Sequence, residues 1–434
     1  MKTGGFVLFA CGQLGVMALA RFFFQWVLKF AGTTEPGSNA PLFAATAVGT
    51  LFLVFRIFDG VADPFAGIAS DLWVQRGRER RSLLWFSFFL PSLGLALVFA
   101  PNAAMNEAVR WALLGTGMFV FFLGYTIYVI PYWSLIEDYS QGHVPTRAKL
   151  SNLLGAGVLV ATGFGFVVSP LLVEEIGYFR SAALWCVPCA LLMLLPYYAA
   201  PKPTGATRAP AEHAVSLVSG LKLAFTHRRF LAVIILFAGG QMSFTVMTAA
   251  APFIAINLLG GTTKDVAVLL GPFLLTAVLG FFLVPRLTLR LGWEKAVLAA
   301  TLLLGVAYAG AGLLGSAVIG SPITTAMLVF AVAGPMASVL LGLEGEAITA
   351  SAAEHDAEVT SVYFGVYNFV VQILNGIAVL TTAILADAIA LRGELAVRGM
   401  GFSAGGMLIV GVALYLAVRP PKAPLQSVRS GSEA

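Results

Sequence analysis

The run Arg56-Ile57-Phe58-Asp59-Gly60-Val61-Ala62-Asp63-Pro64 places three charged side chains inside an apolar stretch that extends from residue 42 to residue 68. This stretch is longer than the ~20 residues that a helix needs to cross a bilayer. The charges are three and four residues apart, so a helix carries all three on one face. A charged side chain inside a membrane span costs about 3 kcal/mol, and such charges commonly belong to functional sites. The stretch therefore predicts a transmembrane helix with one polar, functional face.

The composition of the chain extends this prediction to the whole protein. Of the 434 residues, 59% are hydrophobic and 11% are charged, whereas a soluble domain has about 25% charged residues. This composition excludes an ordinary soluble enzyme and predicts an all-α membrane protein. The apolar runs between polar breaks predict about twelve spans, at residues 5–31, 42–68, 82–101, 110–136, 149–173, 180–200, 230–258, 266–288, 296–316, 322–347, 360–388 and 399–418.

The positions of Lys and Arg predict the orientation of the protein. With the N-terminus in the cytoplasm, 18 of the 26 Lys and Arg residues fall in cytoplasmic segments and five in outer segments. Cytoplasmic loops carry such an excess of positive residues. Both termini are therefore predicted to be cytoplasmic, in a multi-pass protein of the plasma (inner) membrane. The net charge of +5 comes from these loops, so the expected partner is the lipid bilayer and not a nucleic acid.

A polar segment divides the predicted spans into two equal sets. Residues 201–229 are rich in Pro, Ala, Thr and basic residues and predict a cytoplasmic linker. Residues 1–200 are predicted to form an N-terminal six-helix half and residues 230–418 a C-terminal one, with a disordered cytoplasmic tail at 419–434. Two helical halves of this kind are typical of transporters built from parallel repeats. We expect such a transporter to act on a small-molecule substrate as a monomer.

The charges of the second span predict a cation site. Arg56 neutralises one of the two carboxylates, Asp59 and Asp63, and the other then needs Na⁺ or a proton. Thr126, in the fourth span, adds a hydroxyl oxygen, and hard cations prefer oxygen ligands. The corresponding part of the eighth span, residues 274–283, has no ionisable residue, so the site belongs to the N-terminal half. The alternative is a structural Arg–Asp–Asp clamp between helices.

Polar and aromatic side chains in other spans predict a substrate site. Arg21 lies on a polar stripe of the first span and is expected to meet an anionic group of the substrate. Tyr128 and Trp133 have flat faces suited to a sugar ring or an amphiphile. Tyr367 and Gln372 lie on a polar face of the eleventh span. The alternatives are an aromatic belt at the interface for Trp133 and ordinary interhelical hydrogen bonding for the eleventh span.

Charged residues at the cytoplasmic end of the second span, Asp71, Arg80 and Arg81, together with Arg56, predict a gate at the inner face. The alternative is a positively charged anchor at the membrane surface. The sequence has no Gly-rich phosphate loop, no nucleophile–base pair and no metal-ligand spacing. We therefore expect neither an enzyme activity nor a cofactor, apart from Na⁺ or H⁺ as the coupling ion.

The motifs resemble those of the glycoside–pentoside–hexuronide:cation symporter family, which belongs to the major facilitator superfamily. This resemblance implies the major facilitator fold and implies that Asp59, Asp63 and Thr126 bind the coupling cation. The family often has Asn one residue before the second Asp, where this chain has Ala62, so the choice between Na⁺ and H⁺ stays open. The matching patterns are Arg56-x-x-Asp59-x-x-x-Asp63-Pro64-x-x-Gly67-x-x-x-Asp71, Gly77-x-x-Arg80-Arg81, Tyr125-Thr126-x-x-x-Ile130-Pro131-Tyr132-Trp133-Ser134 and Tyr363-Phe364-Gly365-Val366-Tyr367.

The sugar site departs from the family's pattern. Met17 and Val129 stand where the family's sugar permeases have acidic residues, Gly155 stands near an Arg position, and Gln372 replaces a Lys, while Trp133 is kept. A buried sugar hydroxyl without a partner costs about 1–3 kcal/mol. The resemblance implies cation-coupled symport of a sugar or glycoside by alternating access. The departures leave open a lysolipid-like or other amphiphilic solute, uncoupled transport, and a membrane scaffold that does not transport.

Overall fold

The structure, a computed structural model, describes residues 3–33, 41–141, 143–199, 222, 226–315, 321–353 and 360–420. In these ranges the secondary structure is helical, without strands, which confirms the predicted all-α membrane fold. Most of the predicted linker at 201–229, and residues 421–434 of the predicted disordered tail, lie outside the described residues. The division into halves at 1–200 and 230–418 stays a prediction.

Fourteen α-helices follow one another along the described chain. A π-helical turn continues the sixth helix at Phe164–Val168 and another continues the eighth at Ile254–Leu258. The helices are α1 (Thr3–Ala31), α2 (Ala45–Gln75), α3 (Ser82–Ser87), α4 (Leu90–Val98), α5 (Glu107–Ser140), α6 (Val144–Gly163), α7 (Ser169–Leu194), α8 (Arg228–Phe253), α9 (Asp265–Leu291), α10 (Trp293–Ala311), α11 (Pro322–Ala353), α12 (Thr360–Asp387), α13 (Ile389–Arg392) and α14 (Glu394–Val418).

The described helices account for twelve passes through a membrane. Ten helical stretches are long and apolar enough to span one, and α3 with α4 forms a shorter apolar pass, Ser82–Val98. One of the ten, Pro145–Tyr198, has 54 residues and would be about 80 Å long if straight, more than twice the thickness of the hydrocarbon layer. Gly177 breaks this stretch with φ 76° and ψ 172°, a conformation open to glycine, so it makes two passes. The prediction of about twelve spans is therefore confirmed.

Several helices are longer than the apolar runs that predicted them. Helix α2 ends at Gln75 and not at residue 68, α5 ends at Ser140 and not at 136, and α11 ends at Ala353 and not at 347. Backbone hydrogen bonds inside a helix do not depend on apolar side chains. These helices therefore continue beyond the hydrocarbon layer into polar surroundings, where an apolar run ends but the helix does not.

Helices α2 and α12 pack closely in the middle of the protein. A Cβ atom at Gly49 would lie 2.6 Å from Cβ of Ala383, and one at Gly376 would lie 2.7 Å from Cδ1 of Leu53. Small residues let membrane helices approach each other in this way. Along the contact, rising residue numbers in α2 meet falling numbers in α12, so the helices are antiparallel. This packing brings the charged face of α2 against α12.

The end of the protein opposite its two termini is closed by contacts between early and late helices. The Asp387 carboxylate, at the end of α12, accepts hydrogen bonds from the backbone N–H groups of Ala45 (2.8 Å) and Thr46 (2.7 Å) at the start of α2. Nearby, Lys29 Nζ of α1 lies 5.1 Å from the centre of the Phe253 ring of α8. The first N–H groups of a helix lack partners within the helix, so Asp387 caps α2 from another helix. We call this face the closed face.

Removal of the Asp387 carboxylate is expected to loosen the closed face. Asp387→Ala leaves two N–H groups without their acceptor, and loss of a helix cap costs about 0.5–2 kcal/mol. Pulsed electron paramagnetic resonance between nitroxides attached at exposed Ala44 and Ala390 should then show an added population at longer distance. The matched control is Asp265→Ala, which removes a carboxylate bonded within its own segment, to the N–H of Thr262. Identical distance distributions in the wild type and Asp387→Ala would contradict the prediction.

Candidate cation site and transport cavity

Helices α2 and α5 bring the predicted cation-site residues together. Arg56 Nη1 donates to Asp59 Oδ2 at 2.7 Å. Thr126 Oγ1 lies 2.6 Å from Asp59 Oδ1 and 3.2 Å from Asp63 Oδ1. Asp59 is fully buried, and the spacing along α2 turns Arg56, Asp59 and Asp63 to the same side. The structure thus places three carboxylate or hydroxyl oxygens around one small volume.

The Thr126 hydroxyl cannot donate to both carboxylates, because it has a single hydrogen. The shorter contact assigns that hydrogen to Asp59. The 3.2 Å contact with Asp63 then joins two oxygen atoms with lone pairs, unless Asp63 holds a proton or a cation. Among the described residues, Asp63 has no Lys, Arg or His within ion-pair distance, since Arg56 bonds to Asp59. This geometry fits a bound cation or proton between the two carboxylates.

Gln372 joins α12 to this site. Its Nε2 donates to Asp63 Oδ2 at 2.9 Å, while its Oε1 is buried and has no hydrogen-bond partner in the described part of the chain. A Cβ atom at position 60 would lie 2.9 Å from that oxygen, so Gly60 leaves the space that the amide occupies. Rotation of the amide by half a turn would present Oε1 to Asp63 and add a fourth oxygen beside the carboxylates.

A cavity of about 860 Å³ adjoins the cation site and has walls from α1, α2, α5 and α6 as well as α8–α12. Arg56 and Tyr125, which flank the cation site, are part of its wall. No Asp or Glu occurs among the described lining residues, and the two charged ones are Arg21 and Arg56. Much of the remaining wall is aromatic, with Phe24, Phe121, Phe122, Phe166, Phe244, Phe273, Phe281, Tyr308 and Phe330.

Arg21 is the one residue of the five predicted to bind substrate that the structure places in the described cavity wall. Tyr128 is fully buried and donates its hydroxyl to the Met193 carbonyl of α7 at 2.7 Å. Trp133 Nε1 donates to Gln13 Oε1 of α1 at 3.0 Å. These two aromatic residues therefore hold α5 against its neighbours and do not contact the cavity in this structure.

The two residues predicted from the eleventh span also lie outside the cavity wall. Gln372 is at the cation site, and Tyr367 is buried away from the cavity. Two of the positions that differ from the family's sugar site, Met17 and Gly155, do line the cavity, whereas Val129 is buried outside it. The cavity thus coincides in part with the family's sugar position, but with an apolar side chain and a glycine there.

The residues predicted to form a gate, other than Arg56, lie at the Gln75 end of α2 and in the loop that follows it. Arg80 forms ion pairs with Asp71 (2.8 Å) and Asp138 of α5 (3.1 Å). Arg81 pairs within the loop before α3 and donates to a carbonyl after α7. These contacts all join helices of the predicted N-terminal half, which fits the anchor better than a gate between halves. Arg56, predicted as a fourth member, lies at the cation site instead.

The sequence analysis missed polar cavity residues that stand alone in apolar runs. One of them is Thr245 of α8, whose Oγ1 donates at 2.9 Å to Oδ1 of Asn375, a cavity residue on the predicted polar face of the eleventh span. Gln241, Ser151 and Asn152 line it as well. Each is a hydroxyl or amide in a membrane helix, and such a group needs a partner there. The sequence signal for these residues was the need of each polar group for a hydrogen-bond partner. No helical spacing pattern accompanies them that would have singled them out.

With this geometry established, comparison with known proteins identifies the family. The profile of the family described as MFS/sugar transport protein matches residues 8–417, almost the entire chain. The protein belongs to this MFS/sugar transport family. It is therefore a transporter of the major facilitator superfamily and not an enzyme, and the predicted resemblance to the family's sugar:cation symporters is confirmed at this level.

One relative of the chain is the isoprimeverose transporter of Lactiplantibacillus pentosus. It is 31% identical over 156 residues, which cover 35% of this chain and 31% of that protein. The match thus spans about a third of the relative's length.

Solved structures show the major facilitator fold over the whole chain. A point mutant of the nucleoside transporter NupG has a TM-score of 0.66 at 10% identity and covers 95% of this chain and 100% of its own. A bacterial homologue of the human lysosomal transporter Spinster, inward-facing and unoccupied, has a TM-score of 0.66 at 14% identity, with 96% and 98% covered. At these identities the likeness concerns the fold alone.

The Thr126 hydroxyl is expected to be necessary for the stability of the buried carboxylates. Thr126→Val keeps the shape of the side chain but removes the donor to Asp59, and an unsatisfied buried polar group costs about 1–3 kcal/mol. Thermal unfolding of the purified protein should show a lower midpoint for Thr126→Val and a midpoint close to that of the wild type for Thr126→Ser. The matched control is Thr301→Val, because the buried Thr301 hydroxyl bonds only within its own helix, to Val297 O at 2.7 Å. Equal losses in the two valine variants would refute the prediction.

Proposed function

We propose that the protein is a secondary active transporter that couples the entry of Na⁺ or H⁺ at Asp59 and Asp63 to the transport of a small organic solute. The observation that supports this proposal is the single Thr126 hydroxyl shared by two carboxylate oxygens, at 2.6 and 3.2 Å. Arg56 compensates Asp59 alone. A cation or proton beside Asp63 supplies the positive charge or the hydrogen that this arrangement lacks.

Coupling follows from the position of the site between helices. Asp63 of α2 bonds to Gln372 of α12, 309 residues away, so the ion state of Asp63 acts on a contact between early and late helices. Arg56 and Tyr125 connect the same site to the wall of the cavity. Cation binding changes the charge next to the substrate site and thereby the affinity for substrate, and the effect is reciprocal.

The oxygen ligands suit Na⁺ and a proton alike. Asp59, Asp63 and Thr126 provide carboxylate and hydroxyl oxygens of the kind that hard cations bind. Gln372 could supply the amide oxygen that the family's Asn provides at the position of Ala62. A proton needs only one carboxylate oxygen. The thermal experiment below distinguishes the two ions.

A sugar or glycoside is the first candidate solute, because the relative from Lactiplantibacillus pentosus is named an isoprimeverose transporter. An amphiphilic solute is the second, because the cavity wall is largely apolar, with several aromatic rings, and has no acidic residue among the described ones. A cavity of about 860 Å³ with walls from early and late helices favours transport over a scaffold role. We further place the transporter in the plasma membrane as a monomer, with both termini in the cytoplasm.

Asp63→Asn is expected to abolish stabilisation by the coupling ion. A ligand that binds only the folded state at about 100 times its Kd adds about 2.7 kcal/mol to the free energy of unfolding. The purified full-length protein should therefore melt at a higher temperature in NaCl than in KCl of equal ionic strength if Na⁺ is the coupling ion. If the ion is a proton, stabilisation should be lost as the pH rises, without a preference for Na⁺.

The control for this experiment is Asp71→Asn, which changes a carboxylate on the same helix that is exposed and paired with Arg80. This variant should respond to Na⁺ or pH like the wild type. A wild type that responds to neither ion, or an Asp63→Asn variant that responds as the wild type does, would overturn the proposed coupling.

A further inference from the structure

Arg21 is a charged residue of the cavity wall without a partner. It lies on α1 and lines the cavity, and its stem packs against Gly165, where a Cβ atom would lie 2.7 Å from Cβ of Arg21. Among the described residues, no carboxylate lies within ion-pair distance of its guanidinium and no acceptor bonds to it. A guanidinium has five N–H donors, all of which are available here to a ligand in the cavity.

The other charged groups near the cavity have polar contacts of their own. Arg56, the second charged lining residue, is bonded to Asp59 at 2.7 Å. Glu344 of α11 lies outside the described cavity wall and accepts a hydrogen bond from Gln241 Nε2 at 2.8 Å. Among the described lining residues, Arg21 is therefore the one cation without an ion-pair partner, and the wall around it is largely apolar.

The balance of charges changes when the proposed coupling ion binds. Without the ion, Arg56 offsets Asp59, and Asp63 and Arg21 carry opposite charges that no ion pair joins. A cation at Asp63 cancels that negative charge and leaves Arg21 as the one lining charge, among the described residues, without a counter-charge. An uncompensated charge is expensive to enclose in an apolar interior, so a cation-loaded carrier needs an anion before it can close.

The geometry points to a substrate that carries one negative charge, which pairs with Arg21, on an apolar body that fills the aromatic part of the cavity. This inference deepens the proposed function and rests on it for the role of the cation. The planar guanidinium binds a carboxylate, sulfonate or phosphate monoanion through two parallel hydrogen bonds. Phe24 and Phe166 are among the aromatic groups that face the rest of the substrate. One cation and one monoanion together move no net charge.

The charge preference is tested by calorimetric binding to the purified full-length protein with four probes. Phenylbutyrate, phenylbutanol and protonated phenylbutylamine share one apolar body and differ in charge, and glucuronate has the carboxylate without that body. Phenylbutyrate should bind at least about tenfold more tightly than the other three, since hydrogen bonds to charged groups are the strong ones. Equal or weaker binding of phenylbutyrate, including no binding at millimolar concentration, would overturn the inference.

The role of Arg21 is tested with two substitutions. Arg21→Gln should weaken phenylbutyrate binding by about tenfold or more and leave phenylbutanol binding unchanged, whereas Arg21→Lys, which keeps the charge but loses the planar fork, should be intermediate. The control is Lys295→Gln, which removes an exposed positive charge outside the described cavity wall and should bind like the wild type. Unfolding midpoints show that each variant is folded, and a folded Arg21→Gln variant that keeps full phenylbutyrate affinity would refute the assignment.

The cation dependence of phenylbutyrate binding separates this inference from the proposed function. In the wild type, the coupling ion should strengthen phenylbutyrate binding, and in Asp63→Asn, which lacks the charge that the ion neutralises, strong binding should need no ion. Charge-selective binding that depends on Arg21 but not on Na⁺ or pH would support the anion site and overturn the coupling. If the ion stabilises the protein but phenylbutyrate binds no more tightly than the other probes, the coupling is supported and the anion site is overturned.

Discussion

A single hydroxyl hydrogen between the buried carboxylate of Asp59 and the partly buried one of Asp63 is the constraint around which this transporter is arranged. Thr126 satisfies Asp59, and Arg56 pairs with the same carboxylate. Asp63 is left with an amide donor from another helix and an oxygen at 3.2 Å. Under the proposed coupling, an ion or a proton meets the remaining charge, because a membrane interior offers no bulk water to solvate it. In this proposal, the net charge of α2 depends on whether an ion or a proton is bound at Asp63.

The close packing of α2 against α12 is what gives that ion state a mechanical consequence. Gly49 and Gly376 allow the two backbones to approach, and Gly60 leaves room for the Gln372 amide beside Asp63. The Asp387 carboxylate fixes the same pair of helices at the closed face. A change at Asp63 therefore acts on two helices that Asp387 joins at one end and that the Asp63–Gln372 hydrogen bond joins in the middle. Both contacts connect an early helix with a late one.

The number of spans, the helical class and the shared face of Arg56, Asp59 and Asp63 could be predicted from the sequence, because each depends on spacing along one chain segment. Which helices a polar face contacts could not be predicted in this way. Tyr128 and Trp133 lie on a helix whose aromatic character is evident, yet they bond to α7 and α1 and not to the cavity. Periodicity specifies the side of a helix, whereas the element that this side meets depends on tertiary packing. Even the resemblance to a family could not give the position of Arg21, since that residue belongs to none of the matching motifs.

Under the proposed coupling, the distribution of charge accounts for a chain that has the two α2 carboxylates but not the acidic residues of the family's sugar site. A carboxylate in the cavity would pair with Arg21 and compete with an anionic substrate for its positive charge, and the positions that are acidic in the family's sugar permeases are Met17 and Val129 here. Without them, the described cavity wall holds no acidic residue, and its one cation without an ion pair is Arg21. Opposite fixed charges at two separate sites make each ligand's binding favour the other's. In the proposed mechanism, the ion site on α2 and the cavity around Arg21 are then two parts of one electrostatic arrangement.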